Sequence, residues 1–378
     1  MYDLGKEELE ALSELLSSKK LFRYQGNTQS QCQLFEKEFS QYMGAGHSLL
    51  LTSGTNALLN ALKSLGIGKG DEVLVPAFTF VATPAAVMQA GAKVILVNIN
   101  DSLTMCPIDL KHKITPNTKA IIPVHMDGLS CEMDKIMAVA SEHQLVVIED
   151  VAQAVGGSYQ GRKLGTFGQA GCFSFNADKI IACGEGGAVI YRDETTYKKG
   201  LLFHDPGISF GPTYREYLKS ETAVPGISMR ASEISGTLMR VQLSKLDHIL
   251  KRLRERKSIM MRTLKENSVD VISANDVDGD CGTSLLLRLS DPMKASQICR
   301  ELQDVGLVVV PMGARPAHSY SQWIDLLSLT EAEKKSVLTD LSRSRLILAT
   351  TLKVFIQTEW ALEETEAFAR EIARKIVG

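Results

Sequence analysis

Lys179 lies in the stretch CFSFNADKIIACGEGG, from Cys172 to Gly187, between a short apolar run and a glycine-flanked acidic turn. An amine placed there, five residues after Ser174, has the setting of a lysine that forms a Schiff base. Such a lysine works with an aldehyde cofactor, most commonly pyridoxal phosphate. Taken alone, it also reads as a surface lysine in a turn. Three further stretches bear on the choice. Leu49 to Asn60, LLLTSGTNALLN, reads as a buried strand, a Ser-Gly-Thr turn and a helix start. Free amide N–H groups and the hydroxyls of Ser53 and Thr55 then meet at a positive helix end, where a phosphate is stabilised, although a plain capped turn has the same pattern. LVVIEDVAQA ends a buried strand in Glu149-Asp150, with Gln153 three residues on. Asp150 could keep a pyridine nitrogen protonated and Gln153 could bond the ring's phenolic oxygen. Glu149 points the other way, toward an outer or solvent contact. Alone, Asp150 could equally cap a following helix. In PAFTFVATPAAV, Phe80 offers an aromatic face to a flat ring, or packs in the core.

The elements that must position these groups follow from periodicity. Strands at Leu49–Leu51, Glu72–Val75, Lys93–Val97, Ala120–Val124 and Leu145–Ile148 alternate with helices after Thr55, after Phe80 and from Glu132. The alternation predicts an α/β fold, with a mainly parallel sheet covered on both faces and a site at the carboxyl ends of its strands. Two helical patterns, Lys6 to Ser17 and Gln33 to Met43, form an N-terminal arm over residues 1–46 that is expected to pack with the small domain. Residues 47–245 make the large cofactor-binding domain. Residues 246–378 make a smaller C-terminal α/β domain, entered by a long helical run after Arg230. The later part of that run is strongly basic and reads as a solvated helix face. In the small domain the pattern gives strands at Ser284–Leu289 and Val308–Val310, a helix near Met293 to Val305 and a last helix from Glu363 to Val377.

The 378 residues carry 44 acidic and 42 basic side chains, a balance that offers no basic field for nucleic acid. The N-terminal pattern lacks the basic and apolar segments of an export signal, and no window has the length of a membrane span, so the cytoplasm is the expected compartment. Seven cysteines, scattered and never in a CxxC pair, read as reduced and mostly buried thiols. No grouping has metal-ligand spacing, and there is no nucleophile elbow.

The ordered set S-G-T, P-A-F-T-F, E-D-V-A-Q-A, S-F-N-A-D-K and G-E-G-G resembles the pyridoxal-phosphate sugar aminotransferases of the DegT/StrS group, from about Phe35 to Leu250 with a weaker continuation. The resemblance implies the fold type I architecture and a homodimer with sites at the subunit interface. It implies that Lys179 forms the internal aldimine of pyridoxal 5'-phosphate and that Asp150 pairs with its ring nitrogen. Gln153 would contact the ring oxygen, Phe80 would stack, and Gly54, Thr55 and Ser174 would hold the phosphate. It further implies an amino donor, L-glutamate or L-glutamine, and a keto or aldehyde sugar acceptor, nucleotide-linked or a keto-deoxy sugar acid. Phe22-Arg23-Tyr24, VHMDG, GGSYQG and ACGEGG look most like the branch acting on keto-deoxy-octulosonate.

Two departures stand out. The family's G-x-N-x-R reads Gly226-Ile227-Ser228-Met229-Arg230 here, so the shorter Ser228 would have to reach the partner subunit's cofactor phosphate through its hydroxyl or a water. The usual D-H-G after the lysine strand is replaced by FHDPGISFGP, from Phe203 to Pro212. His125 in PVHMDG, His204 beside Asp205, and His318 in RPAHSYSQW, where Arg315, Tyr320 and Trp323 make a cluster that could meet a sugar or acid group, are candidates to face substrate; His125 also reads as a loop anchor and His318 as a surface-loop residue. Two functions compete on the same scaffold. One is a sugar dehydratase, which resembles members with histidine at the lysine position and is opposed by Lys179; the other is a noncatalytic cofactor-binding regulator. A third reading is an unrelated α/β protein that binds a phosphate metabolite at Ser53-Gly54-Thr55.

Overall fold

Short runs that are apolar at every position form strands buried from two sides. The computed structural model, which describes residues 3–24, 29–207 and 225–377, arranges them in one large sheet. In chain order come α1 (Lys6–Ser18), α2 (Gln31–Met43), β1 (His47–Leu51), α3 (Gly54–Ser64), β2 (Glu72–Pro76), α4 (Ala82–Ala90) and β3 (Lys93–Val97). Then follow α5 (Pro107–His112), β4 (Thr118–Ile121), α6 (Met133–Glu142), β5 (Val146–Asp150) and a hairpin of β6 (Ser158–Tyr159) and β7 (Arg162–Lys163). Next are β8 (Ala170–Ser174), β9 (Gly187–Tyr191), α7 (Glu194–Phe203) and α8 (Glu233–Glu266). The remainder is β10 (Ser284–Arg288), α9 (Pro292–Asp304), β11 (Val309–Pro311), α10 (Tyr320–Trp323), α11 (Glu331–Asp340), α12 (Ser342–Ala349), β12 (Thr351–Phe355) and α13 (Leu362–Val377).

The large sheet has the order β1-β9-β8-β5-β4-β2-β3. Only β9 runs against its neighbours β1 and β8. Because strand side chains alternate, Leu49 and Leu51 pack with α3 and α4 on one face, while Leu50 packs with α2 and α8 on the other. A second sheet, β10-β12-β11, is antiparallel and carries α9 and α13.

Helix α8 runs unbroken across the expected boundary at residue 245. Ser232 caps it by accepting the Ser235 N–H at 3.2 Å, and Met239, Leu243, Leu246, Leu250, Leu253, Met260 and Leu264 bury one stripe of it. Its basic half is a solvated face only in part: Lys251, Arg262 and Lys265 are exposed, but the other basic side chains are drawn into contacts. Arg256 donates to the Trp360 carbonyl (2.6 and 2.9 Å), Arg252 to that of Thr358 and Arg254 to that of Asp280, and Lys257 pairs with the Asp280 carboxylate. These charges tie the small domain on. The N-terminal arm lies on the first half of α8 and on β1 rather than on the small sheet: Arg240 binds Glu38 and Gln31, and Lys245 meets Glu7 and Glu8.

A backbone clamp joins the two domains beyond the end of β2. The Thr79 N–H donates to His318 O (3.0 Å), Val81 N–H to Ala317 O (2.8 Å) and Tyr320 N–H to Ala77 O (3.0 Å). All seven cysteines are free thiols, with Cys183 half-buried and the others buried. Among the described residues no helix is long and apolar enough to cross a membrane.

Candidate active site

A cleft of about 630 Å³ opens between the carboxyl ends of the large sheet and the small domain. Lys179 reaches it from the connection between β8 and β9. That connection is laddered by its own backbone, with Phe175 N–H bonded to Gly186 O (2.8 Å), Ala177 N–H to Gly184 O (2.9 Å) and Cys183 N–H to Phe175 O (3.0 Å). Burial pushes the Lys179 amine below its ordinary range, against the pull of Asp150.

Asp150 ends β5 and is 5% exposed. No helix follows it, so it does not serve as a helix cap. Its Oδ1 accepts the Ala152 N–H at 3.0 Å and its Oδ2 the Thr83 hydroxyl at 2.8 Å, while Thr83 Oγ1 lies 2.7 Å from Thr79 Oγ1. Burial raises its carboxyl above the usual range; these bonds and Lys179 oppose the rise. Glu149 faces the opposite side of the strand, as alternation requires, but meets no solvent. Its carboxylate accepts the N–H groups of Gly165, Phe167 and Gly168 at 2.7–2.9 Å.

The turn after β1 forms another wall. Ser53 caps α3 by accepting the Asn56 N–H at 3.1 Å, and Gly54, Thr55 and Ser174 line the cleft beside it. Gly54 is required by close approach: a Cβ there would sit 2.8 Å from Ser174 Cβ. Gln153 lines the cleft and accepts the Asp127 N–H through Oε1 at 3.1 Å, which leaves its amide hydrogens as donors. Phe80 is 44% exposed in the same cleft, its ring centroid 5.2 Å from that of His318.

Of the three histidines, only His318 lines the cleft. Burial, with Arg315 nearby, holds its pKa at about 4, and its Nδ1 lies 2.6 Å from Pro316 O. His125 is fully buried; its Nδ1 accepts the Cys131 N–H at 3.1 Å, so Nε2 carries the proton and faces Glu149 at 3.3 Å. His204 is fully buried at the C-terminal end of α7, bonded to the Leu201 carbonyl, and burial pushes its pKa down to about 3. Neither is placed to touch a molecule in this cleft. Ser228 is exposed and outside its own chain's cleft. Of FHDPGISFGP, residues 208–212 lie outside the described residues.

On the opposite wall, sequence reasoning noted Arg315 beside His318 but missed Asp127 and Lys353. Asp127, 2% exposed and at φ 56°, takes Arg315 Nη1 at 2.8 and 3.0 Å and Lys353 Nζ at 2.5 Å. Burial works against its charge, but the two cations outweigh it and hold the carboxyl below the usual range. Burial pushes the Lys353 amine down to about 8 despite Asp127. For Lys353 the one local signal was a lysine inside the apolar strand TLKVF.

Residues 2–350 match the sequence profile of the DegT/DnrJ/EryC1/StrS aminotransferase family. The chain belongs to this family. It is 38% identical over 258 residues to the spore coat polysaccharide biosynthesis protein SpsC of Bacillus subtilis, covering 67% of this chain and 65% of that one. It is 40% identical over 218 residues to GDP-perosamine synthase of Caulobacter vibrioides, covering 57% of each. The matched stretches thus span less than two thirds of those relatives. The crystal structure of 3-amino-5-hydroxybenzoic acid synthase superposes with a TM-score of 0.86 at 26% identity, over 100% of this chain and 98% of that one. The architecture is therefore that of fold type I aminotransferases.

Pyridoxal 5'-phosphate is the cofactor of the DegT/DnrJ/EryC1/StrS family, and the residues present fit it. The N-terminus of α3, with hydroxyls around a position where a Cβ would clash, suits a phosphate. A buried carboxylate and a desolvated lysine stand in the same cleft.

Proposed function

We propose that the chain is an aminotransferase that moves an amino group from an amino acid, L-glutamate or L-glutamine, to a keto or aldehyde sugar, nucleotide-linked or a keto-deoxy sugar acid. The observation that carries the reading is the convergence of Lys179, Asp150 and the N-terminus of α3 on one cleft. When bound, pyridoxal 5'-phosphate supplies an aldehyde that takes an amine and a ring that accepts the electron pair left when the α-carbon loses its proton. Ser53, Gly54, Thr55 and Ser174 would hold the phosphate, with the helix end favouring its charge.

Asp150 would face the ring nitrogen and hold a proton there. Its two oxygens are fixed by Ala152 and Thr83, so the charge is aimed before the ring arrives. Gln153 would donate to the ring oxygen, and Phe80 would cover the ring face. Lys179 would be the residue that holds the cofactor through its aldehyde and, as a free amine, the base that takes the proton from the substrate α-carbon. Its lowered pKa favours the neutral base that this needs. Ser228, exposed beside the start of α8, would reach the phosphate of a second subunit in a homodimer.

The test is reduction with borohydride after loading with pyridoxal phosphate, followed by peptide mass analysis and an assay of 2-oxoglutarate released from L-glutamate. The expected result is a reduced pyridoxyl group on Lys179, and loss of turnover in Lys179→Ala with noncovalent cofactor retained. Normal steady-state turnover by that variant would sink the assignment.

A further inference from the structure

Two buried hydroxyls stand behind Asp150. Thr79 and Thr83 are both 0% exposed, so bulk water satisfies neither. Packing alone would be served by valine at either position, and a buried hydroxyl costs free energy unless it is hydrogen-bonded. Thr83 Oγ1 lies 2.8 Å from Asp150 Oδ2 and 2.7 Å from Thr79 Oγ1. A hydroxyl has one hydrogen, and an ionised carboxylate only accepts. The Thr83 hydrogen is therefore committed to Asp150, and the Thr79 hydroxyl donates to Thr83. Thr79 Oγ1 also lies 3.3 Å from the Phe80 carbonyl, which is long for a hydroxyl bond. The chain from Thr79 through Thr83 to Asp150 thus runs one way, each bond polarising the next toward the carboxylate.

The start of this chain is tied to the other domain. The Thr79 N–H donates to His318 O and the Val81 N–H to Ala317 O, so the small domain fixes the backbone that carries the first hydroxyl. Thr83 is held separately, its N–H donating to Phe80 O at 3.1 Å. We propose that Thr79 is a positioning residue, anchored by the small domain, which acts through Thr83 to fix the charge of Asp150 on the cofactor's ring nitrogen. The proposal rests on the aminotransferase reading, under which Asp150 faces that nitrogen.

Competition between two ligands reads this contact. Protein loaded with pyridoxamine 5'-phosphate is titrated with the same molecule carrying a ring C–H in place of the nitrogen, and the displaced pyridoxamine 5'-phosphate is measured in the filtrate by its fluorescence. The exchange constant is the preference for the nitrogen; contacts to the phosphate and the ring face cancel from it. The parent is expected to favour the nitrogen. Thr83→Val should lower that preference about tenfold or more, the worth of one charge-assisted hydrogen bond. Thr79→Val should lower it about twofold to threefold, the worth of a polarising neighbour. Thr79→Ser, which keeps the hydroxyl, should hold the parent value. In the Thr83→Val background, Thr79→Val should change nothing further, because Thr79 then has no route to Asp150. A residue that only shapes the fold acts on both ligands alike, so an unchanged preference in Thr79→Val would overturn its role. Equal losses from Thr79→Val in the two backgrounds would do the same. Failure of the wider reading looks different. A parent that favours the nitrogen, with Thr79→Val favouring it equally, removes the chain alone; a parent with no preference removes Asp150 from the ring nitrogen, and the chain with it.

Discussion

Two carboxylates one residue apart have opposite work. Glu149 neutralises a turn by accepting three backbone N–H groups, while Asp150 keeps a raised pKa in the cleft and has only two donors. Asp150→Asn preserves the shape and removes the charge; its oxygen still accepts the Ala152 N–H, while its NH2 meets Thr83 by donating to the hydroxyl. We expect release of 2-oxoglutarate from L-glutamate to slow roughly hundredfold or more in single turnovers, with unchanged circular dichroism. Near-normal rates would remove Asp150 from the catalytic groups. That the two face opposite ways was legible in the sequence, because successive strand side chains alternate; the turn that Glu149 binds was not, since it lies 16 to 19 residues on. Asp127 was not legible: its partners lie 188 and 226 positions away, and no local pattern announces a pairing of that span.

At the scale of elements, the site depends on how closely the start of α3 approaches β8 and β9. A Cβ on Gly54 would press on Ser174, and one on Gly187 would fall 2.3 Å from the Ser53 carbonyl carbon. Gly54→Ala should therefore push the α3 start away from the sheet. The expected cost is about 1–3 kcal/mol in urea unfolding, with weaker retention of pyridoxal phosphate on dialysis. Unchanged stability and cofactor retention would mean that the turn relaxes freely. Strands β1 to β5 and helices α3, α4 and α6 were readable from periodicity, whereas the short α5, the β6–β7 hairpin, β9 and α7 were not. The basic half of α8 was readable as a helix but not in its role, because the carbonyls that receive Arg252 and Arg256 belong to Thr358 and Trp360, about a hundred residues on.

For the whole molecule, α8 joins the two sheets, and a buried histidine at the C-terminal end of α7 makes the fold sensitive to acid. His204 has a folded pKa near 3 against an ordinary 6.5, so it stays neutral when folded and takes up a proton when unfolded. Below about pH 6.5 the unfolded state binds more protons, and stability falls as pH drops toward 3, by about 1.4 kcal/mol per unit. Thermal melting at pH 7.5 and pH 5 checks this: His204→Gln should melt lower at pH 7.5 but lose less on acidification than the parent. An equal or larger loss would assign the acid response to other groups.

The clamp between residues 77–81 and 317–320 bears on how substrates come and go. Three main-chain bonds beside Phe80 fasten the small domain at the mouth of the cleft, so its rim cannot swing as a hinged jaw without breaking them. An enzyme so fastened would have an entrance of fixed width, and exchange of reactants through it would need no closing step. Hydrogen exchange at Thr79, Val81 and Tyr320 would then be as slow with substrate absent as with substrate bound.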